Sequence, residues 1–446
     1  LTISSSSTIQ RAICILPQLI RNSNPKYKNT HLIWNTNMNQ KLELLSPAGD
    51  MERLKLAVKF GADAVYVGGE MFGMRTNPSN FNSEQLKQAV DLVHNENKKI
   101  YLTCNTLPRN DELEFLPDYL KYVADIGVDA LIIADMGVLA MAKKYAPDVE
   151  IHMSTQVGIV NYAAANALYD MGAKRIVTAR ELSLDEIKTI RDKTNPNLEI
   201  ETFVHGAMCM SFSGRCILSD YMVGRDANRG DCAQPCRWKY HLVEETRPGQ
   251  YFPIDQDENG TYIFNSRDLC MIDRISDLDR AGIDSFKIEG RAKSEYYTAI
   301  VTYAYRNALD EYLAAGRPEN FMPSQWILDE MEKMSHREYT HGFNFGPIKN
   351  GQVLDTGGYI RNWDVCAVFK SEANGRVTVI QRNRFYQGDE LEVVEPFKKP
   401  YNVIVAELYN ENDGEFTDVA NKATDVYSFR CDKQISKDAI FRVIRK

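Results

Sequence analysis

Residues 42–69 read LELLSPAGDMERLKLAVKFGADAVYVGG, and they decide the fold. The apolar run LELLSP has the length of a buried strand, and Asp50 stands where a helix N-cap belongs. MERLKLAVKFGA then carries apolar residues at helical spacing, and DAVYVGG is a second buried run. The same unit recurs downstream: SEQLKQAVDLVHNENK precedes KIYLTCN, PDYLKYVADIG precedes DALIIAD, and GVLAMAKKYA precedes VEIHMST. YAAANALYDMG before RIVTAR and SLDEIKTIRDKT before LEIETFVHG continue it. Strands that alternate with helices pair in parallel through right-handed crossovers. A weak repeat supports the reading. Gly61-Ala-Asp-Ala-Val, Gly127-Val-Asp-Ala-Leu, Gly172-Ala-Lys-Arg-Ile and Gly282-Ile-Asp-Ser-Phe each put a helix-ending glycine just before a strand. Enough units occur to close a (β/α)8-like, TIM-type barrel. An open doubly wound sheet is the second choice, and the G-x-G-x-x-G fingerprint of a dinucleotide site is missing.

In such a barrel the chemistry sits at the C-terminal ends of the strands. That rule selects Ser46 and Gly49, Gly68 and Gly69, Asn105, Asp135, Ser154 with Gln156, Arg180 with Glu181, His205 with Cys209, and Glu289 with Arg291. Asn105, Gln156 and Arg180 are the expected substrate contacts. His205 is read either as a proton donor or as a loop hydrogen-bonder. Glu289 and Arg291 flank Gly290 and suit a clamp for a carboxylate, with a structural ion pair as the alternative. A dicarboxylate wants a second cation, for which Arg180 and, more remotely, Arg75 are available.

Four of the nine cysteines fall within ETFVHGAMCMSFSGRCILSDYMVGRDANRGDCAQPCRW, residues 201–238. Cys209 and Cys216 bracket a Ser/Gly turn, and Cys232 and Cys236 bracket a Pro turn, so each pair can converge on one point. Thiolates at a tetrahedral site select zinc or an iron–sulfur cluster, and spacing does not separate the two. The competing reading is a pair of disulfides or inert core thiols, but a disulfide framework belongs to small secreted chains. Cys209, Cys216, Cys232 and Cys236 are the expected ligand set, with Cys270 in NSRDLCMID as the alternative fourth. Cys14, Cys104, Cys366 and Cys431 read as buried apolar residues.

The runs His205-Gly206-Ala207-Met208-Cys209 and Ser213-Gly214-Arg215-Cys216 resemble the signature of peptidase family U32, the collagenase-like proteases. The likeness runs from about Leu44 to the C-terminus. SPAGD at 46–50, GADAVYVGG at 61–69, GDCAQPCRW and KIEGR at 287–291 resemble the branch that contains tRNA and ribosomal RNA hydroxylation proteins. What the resemblance implies is a [4Fe-4S] protein acting in oxygen-independent hydroxylation. The reaction it implies is formation of 5-hydroxyuridine at the tRNA wobble position, with prephenate as co-substrate and a possible electron donor as further partner. It also implies that a later cysteine such as Cys270 serves as fourth ligand in more distant relatives. Two other classes stay open. A peptidase has no HExxH helix or G-x-S-x-G elbow to support it, which leaves a cysteine activated by His205. A zinc-stabilised RNA-binding protein without catalysis is the third.

With 446 residues, 44% of them hydrophobic, the chain can bury a large core. Its net charge of −8 argues against wholesale coating of a polyanion but allows a local basic groove. Residues 1–37 are rich in Ser, Thr and Asn and lack acidic residues. They read as a disordered or spurious extension, with an organellar transit segment as the alternative. No secretory h-region or bilayer-spanning run is present in the sequence, so the expectation is a cytoplasmic protein that does not enter a membrane. The barrel is expected over 38–322 and a connector over 323–363. Residues 364–446, with short alternating strands and Asn-Gly, Asp-Gly and Gly-Asp turns, read as a small antiparallel β-barrel domain. The tyrosines of SEYYTAIVTYAYRNALDEYLAAG (Tyr297, Tyr303, Tyr305, Tyr312) read as core more readily than as a base-stacking stripe.

Overall fold

A computed structural model describes residues 42–73, 80–209, 211–212, 216, 218–229, 231–238, 255–257, 260–262, 266–346 and 359–445. The N-terminal extension and Arg75 lie outside the described residues. The first strand, β1 (Glu43–Pro47), is followed by α1 (Met51–Lys59), β2 (Ala64–Gly68), α2 (Ser83–Asn95), β3 (Lys99–Cys104) and α3 (Leu116–Asp125). Next come β4 (Ala130–Ile133), α4 (Met136–Tyr145), β5 (Glu150–Met153), α5 (Tyr162–Asp170), β6 (Arg175–Val177), α6 (Leu184–Lys193) and β7 (Glu199–Ala207). The cysteine segment contributes α7 (Leu218–Val223) and the hairpin β8 (Asp255–Asp257) and β9 (Gly260–Tyr262). After it run β10 (Asp268–Cys270), α8 (Ile275–Arg280), β11 (Ser285–Ile288), α9 (Glu295–Ala314), α10 (Gln325–Glu332) and β12 (Tyr339–Thr340).

Strands β1 to β7 pair in sequence and in parallel, and β11 pairs in parallel with both β7 and β1. Eight parallel strands therefore close a TIM-type barrel. The helix starts follow from local chemistry. Asp50 accepts from Arg53 N at 2.9 Å, and Asn82 and Ser183 each build a capping box. The helix ends follow too: Gly61, Gly127, Gly172 and Gly282 all have positive φ. The residue after each returns its N–H to the helix, as in Ala62 N to Ala57 O at 3.0 Å and Ala173 N to Leu168 O at 2.9 Å. This is the Schellman geometry that only glycine enters at little cost.

Two features depart from the simple repeat. Between β7 and β11, strand β10 runs antiparallel along β7, with Cys270 opposite His205, and β12 pairs with β10. The segment read as a connector thus supplies a helix, α10, and an edge strand. The barrel lumen is also strongly charged in its lower half. Arg175 reaches Glu43 (2.5 Å), Glu199 (2.6 Å) and Glu201 (2.9 Å), while Lys287 Nζ lies 2.6 Å from Glu201. Tyr101 and Ser285 donate to Glu43 at 2.6 and 2.8 Å. Each buried carboxylate has a cationic partner, as burial in a low dielectric requires. Four of the five tyrosines of α9, Tyr297, Tyr303, Tyr305 and Tyr312, are buried in the core.

The C-terminal part contains β13 (Trp363–Ala373), β14 (Arg376–Gln381), β15 (Phe385–Tyr386), β16 (Glu390–Val394), β17 (Tyr401–Ile404), β18 (Ala406–Asn410), β19 (Glu415–Phe416), β20 (Val419–Ala420), β21 (Val426–Arg430) and β22 (Ile440–Ile444). Eight of these form one antiparallel sheet, curled around a core that includes Val377, Phe385, Phe429 and Phe441. Strands β15 and β20 pair separately.

This sheet is fastened to the barrel by Arg442 of β22, which is 0% exposed. Its guanidinium donates two bonds of 2.7 Å to Glu330 of α10, one of 2.6 Å to Glu392 of β16 and one of 3.0 Å to Tyr296 of α9. Lys333 closes the network on Glu392 at 2.9 Å. Val394 and Ile440 join the barrel's own apolar core. Arg442→Ala leaves the fully buried Glu330 carboxylate without its guanidinium, which costs about 3–5 kcal/mol. Urea unfolding followed by Trp363 fluorescence is the check, and a loss below about 1 kcal/mol contradicts this account.

Candidate active site

The site begins where β7 ends. Glu289 N donates to the His205 carbonyl at 2.8 Å, and Tyr297 OH donates to the Glu289 carbonyl at 2.9 Å. Gly206 (φ +111°) permits this approach: a Cβ there would sit 2.4 Å from the Glu289 oxygen. Beyond Ala207 the chain leaves the sheet and forms the cysteine loops at the mouth of the barrel.

Cys209 and Cys232 are exposed, Cys216 and Cys236 half-buried, and Cys209, Cys216 and Cys232 carry free thiols. Two of the sulfurs accept backbone N–H groups, Cys216 from Leu218 and Cys232 from Gln234, both at 3.4 Å. Asn228 brackets Cys216, accepting from its N–H at 3.2 Å and donating to its carbonyl at 3.0 Å. Ser219 of α7 stitches the two cysteine pairs together: its Oγ accepts from Ala233 N at 2.9 Å and donates to Asp231 O at 3.4 Å. Arg225 braces the turn through Asp231 at 2.7 Å.

Partial burial raises the Cys209 thiol pKa. Arg180 counters this, and neighbouring Cys216 and Cys232 add to it, so these sulfurs lie within electrostatic reach of one another. Among the described residues no group of three or more His, Cys, Asp or Glu side chains is gathered tightly enough to hold a metal ion. The donor set nonetheless suits a thiophilic centre, with soft sulfurs on stitched loops and N–H groups already aimed at two of them. Cys270 is placed differently. It lies in the apolar core on β10, and burial pushes its thiol up to about 12.

His205 is 1% exposed. Its ring is enclosed by Tyr297, Tyr305 and Tyr339 at centroid distances of 5.9, 5.6 and 5.5 Å. Burial lowers its pKa to about 3, so the imidazole is neutral at physiological pH. A neutral, enclosed imidazole weighs against the reading of His205 as a proton donor.

Across the mouth, the polar residues pair differently from the expected clamp. Glu289 is bound by Arg180, whose Nη2 lies 3.0 Å away and whose Nη1 donates to Ala207 O at 2.9 Å. The Arg180 guanidinium also lies 3.8 Å over the Phe203 ring. Arg291, 3% exposed, reaches Thr103 Oγ1 at 2.9 Å on the far side. Two glycines make room for it. A Cβ on Gly68 would meet Arg291 Nη1 at 2.1 Å, and one on Gly49 would meet its carbonyl at 2.3 Å. Glu289 is thus in contact with Arg180, and Arg291 with Thr103.

Asn105 and Gln156 do meet, Nδ2 to Oε1 at 2.9 Å, at the ends of β3 and β5. Asp135 instead caps α4, accepting from Val138 N at 3.0 Å. Lys287 and Glu201, directly below this layer, escaped the sequence reading. Their signal was present: Glu199 and Glu201 alternate with apolar residues in a strand whose other face is covered by helices, so both carboxylates must point into the lumen.

Comparison with known proteins gives a consistent set of matches. The family model Peptidase family U32 matches residues 49–353, and that of the Peptidase family U32 C-terminal domain matches 361–442. The chain is 37% identical over 413 residues to tRNA hydroxylation protein P1 of Bacillus subtilis (strain 168), covering 90% of this chain and 95% of that one. It is 37% identical over 402 residues to tRNA hydroxylation protein P of Escherichia coli (strain K12), covering 80% and 86%. It is 38% identical over 312 residues to the 23S rRNA 5-hydroxycytidine C2501 synthase of Escherichia coli (strain K12), covering 68% of this chain and 45% of that one.

The buried imidazole gives a pH signature. An unfolded chain protonates His205 near 6.5, whereas the fold keeps it neutral to about 3. Its contribution to stability is therefore present above about pH 6.5 and is lost as pH falls toward 3, at up to ~1.4 kcal/mol per pH unit. His152, lowered mainly by burial, acts in the same sense. Glu43 enters only below 4.5: burial opposes its ionisation, but Arg175 overcomes that and holds it at about 2. Urea unfolding of His205→Gln between pH 6.5 and 4.5 should show a shallower loss of stability than the parent. An identical slope would assign the proton uptake elsewhere.

Proposed function

The chain belongs to peptidase family U32, and from that premise we propose that it hydroxylates RNA, forming 5-hydroxyuridine at the tRNA wobble position with prephenate as co-substrate. What carries the reading is the stitched cysteine segment at the barrel mouth, beside Arg180 and Glu289, in a chain whose full-length relatives are named for tRNA hydroxylation.

Cys209, Cys216, Cys232 and Cys236 are the residues that would hold a [4Fe-4S] cluster, which supplies redox chemistry next to the base. The protein's own groups do the rest. A wobble uridine lies in a loop and needs little unstacking to enter the mouth. The Asn105–Gln156 amide pair stands at the ends of β3 and β5, where a base entering the mouth would lie. Arg291, desolvated behind Gly68 and Gly49, takes a carboxylate of the co-substrate. The Arg180–Glu289 pair and the Glu289–His205 backbone bond hold together the strand ends from which the cysteine loops and Arg291 depart. Nothing comparable favours a cysteine peptidase. His205, the base such a nucleophile would need, is buried and enclosed by tyrosines.

Cys209→Ala or Cys216→Ala should abolish both the visible absorption of anaerobically purified protein and 5-hydroxyuridine in the tRNA of complemented deletion cells, read by nucleoside mass spectrometry. Full hydroxylation with either variant sinks the proposal, and a colourless parent holding one tight zinc favours the non-catalytic alternative. Arg291→Lys keeps the charge but loses the fork, so half-saturation by prephenate should rise at least about tenfold with an unchanged melting temperature. An unaltered prephenate dependence removes Arg291 from the site.

A further inference from the structure

The loop that follows β14 of the C-terminal sheet lies at the same end of the barrel as its mouth. Arg382 Nη2 is 3.4 Å from Glu52, which stands in the first turn of α1, directly after β1. The loop is firmly held: Arg382 N donates to Cys366 O at 2.8 Å, Asn383 N to the same oxygen at 3.2 Å, and Asn383 Nδ2 to Val365 O at 2.7 Å. Lys293, five residues beyond β11, donates to Tyr359 OH at 3.2 Å and lies 4.5 Å from that ring's centroid. Arg361 follows two residues later.

We propose that Lys293, Arg361, Arg382 and Arg384 form a strip that binds the phosphates of the RNA strand whose base enters the mouth. This rests on the RNA-hydroxylase reading and names where the rest of that substrate runs.

Charge is the first argument. In a chain of net charge −8, Arg361 and Arg384 are exposed, and among the described residues neither has an acidic partner within ion-pair distance. Two of the acids beside them are engaged elsewhere or across this seam: Asp364 with Arg445 at 3.7 Å, and Glu52 with Arg382. The Arg382–Glu52 pair is itself open to water, with side chains 41% and 59% exposed, and a surface pair of that kind yields readily to a phosphate. Geometry is the second. The buried Arg442 network fixes the sheet against α10 and α9, and the Arg382–Glu52 contact puts the strip at the first turn of α1, on the side of the barrel where the strands end. Exposed arginines on a rigid loop are phosphate contacts that position a strand without reading its sequence.

The test measures binding of an unmodified tRNA transcript to the full chain across a range of KCl concentrations. Arg361→Gln and Arg384→Gln should each weaken binding about tenfold near 0.1 M salt and lower the slope of log K against log salt by about 1. Arg384→Lys should keep the slope, and KM for tRNA should rise in the Gln variants while kcat holds. If the parent binds and hydroxylates tRNA and both Gln variants match its slope, the strip is overturned and the hydroxylase reading stands. If the parent neither binds nor hydroxylates tRNA, both fall.

Discussion

A single backbone hydrogen bond, from Glu289 N to the carbonyl of His205, sets the geometry at the mouth. It joins the last strand of the barrel to the one from which the cysteine loops depart. It forms only because residue 206 has no side chain to occupy the gap. Through it the direction in which the chain leaves β7 is tied to the position of Glu289, and through Glu289 to Arg180. The tyrosines of α9 hold both ends: Tyr297 binds the Glu289 carbonyl and Tyr305 binds that of Val204. A helix packed outside the barrel thus controls spacing inside it.

Beneath this layer buried charge stands beside a small apolar cluster that includes Leu45, Tyr66 and Ile132. Three carboxylates, Glu43, Glu199 and Glu201, are paired with two cations, Arg175 and Lys287. Their burial gives the floor of the site a fixed, preorganised field, since groups with satisfied partners have little freedom to reorient. Lys287 also lies 4.7 Å from the ring centroid of Tyr66 and 5.4 Å from that of Phe203, the same ring that carries Arg180 on its other contact. The two cations therefore meet through one aromatic side chain.

Local chemistry made much of this legible. The glycines at 61, 127, 172 and 282 announce helix ends because a Schellman turn is decided within six residues, and Asp50 announces a helix start for the same reason. The clustering of Cys209, Cys216, Cys232 and Cys236 is likewise visible along the chain. Pairings across long separations were not. Arg180 and Glu289 are 109 residues apart, and nothing in either neighbourhood prefers that pairing to one between Glu289 and Arg291. Strands β10 and β12, three and two residues long, are too short to show a period. His205 was ambiguous because its exposure depends on tyrosines from α9 and β12, which reach it only in the folded protein.

The junction between barrel and sheet is ionic at its centre, and this has a consequence for how such chains can be recombined. An apolar seam tolerates a foreign partner of about the right volume, whereas Arg442 is matched to the exact carboxylates of Glu330 and Glu392 and has no water to fall back on. A chimera that took its C-terminal sheet from another family member would strand Glu330 on the acceptor side. The modular boundary for such a graft therefore lies ahead of Gln325, so that α10 travels with the sheet it anchors.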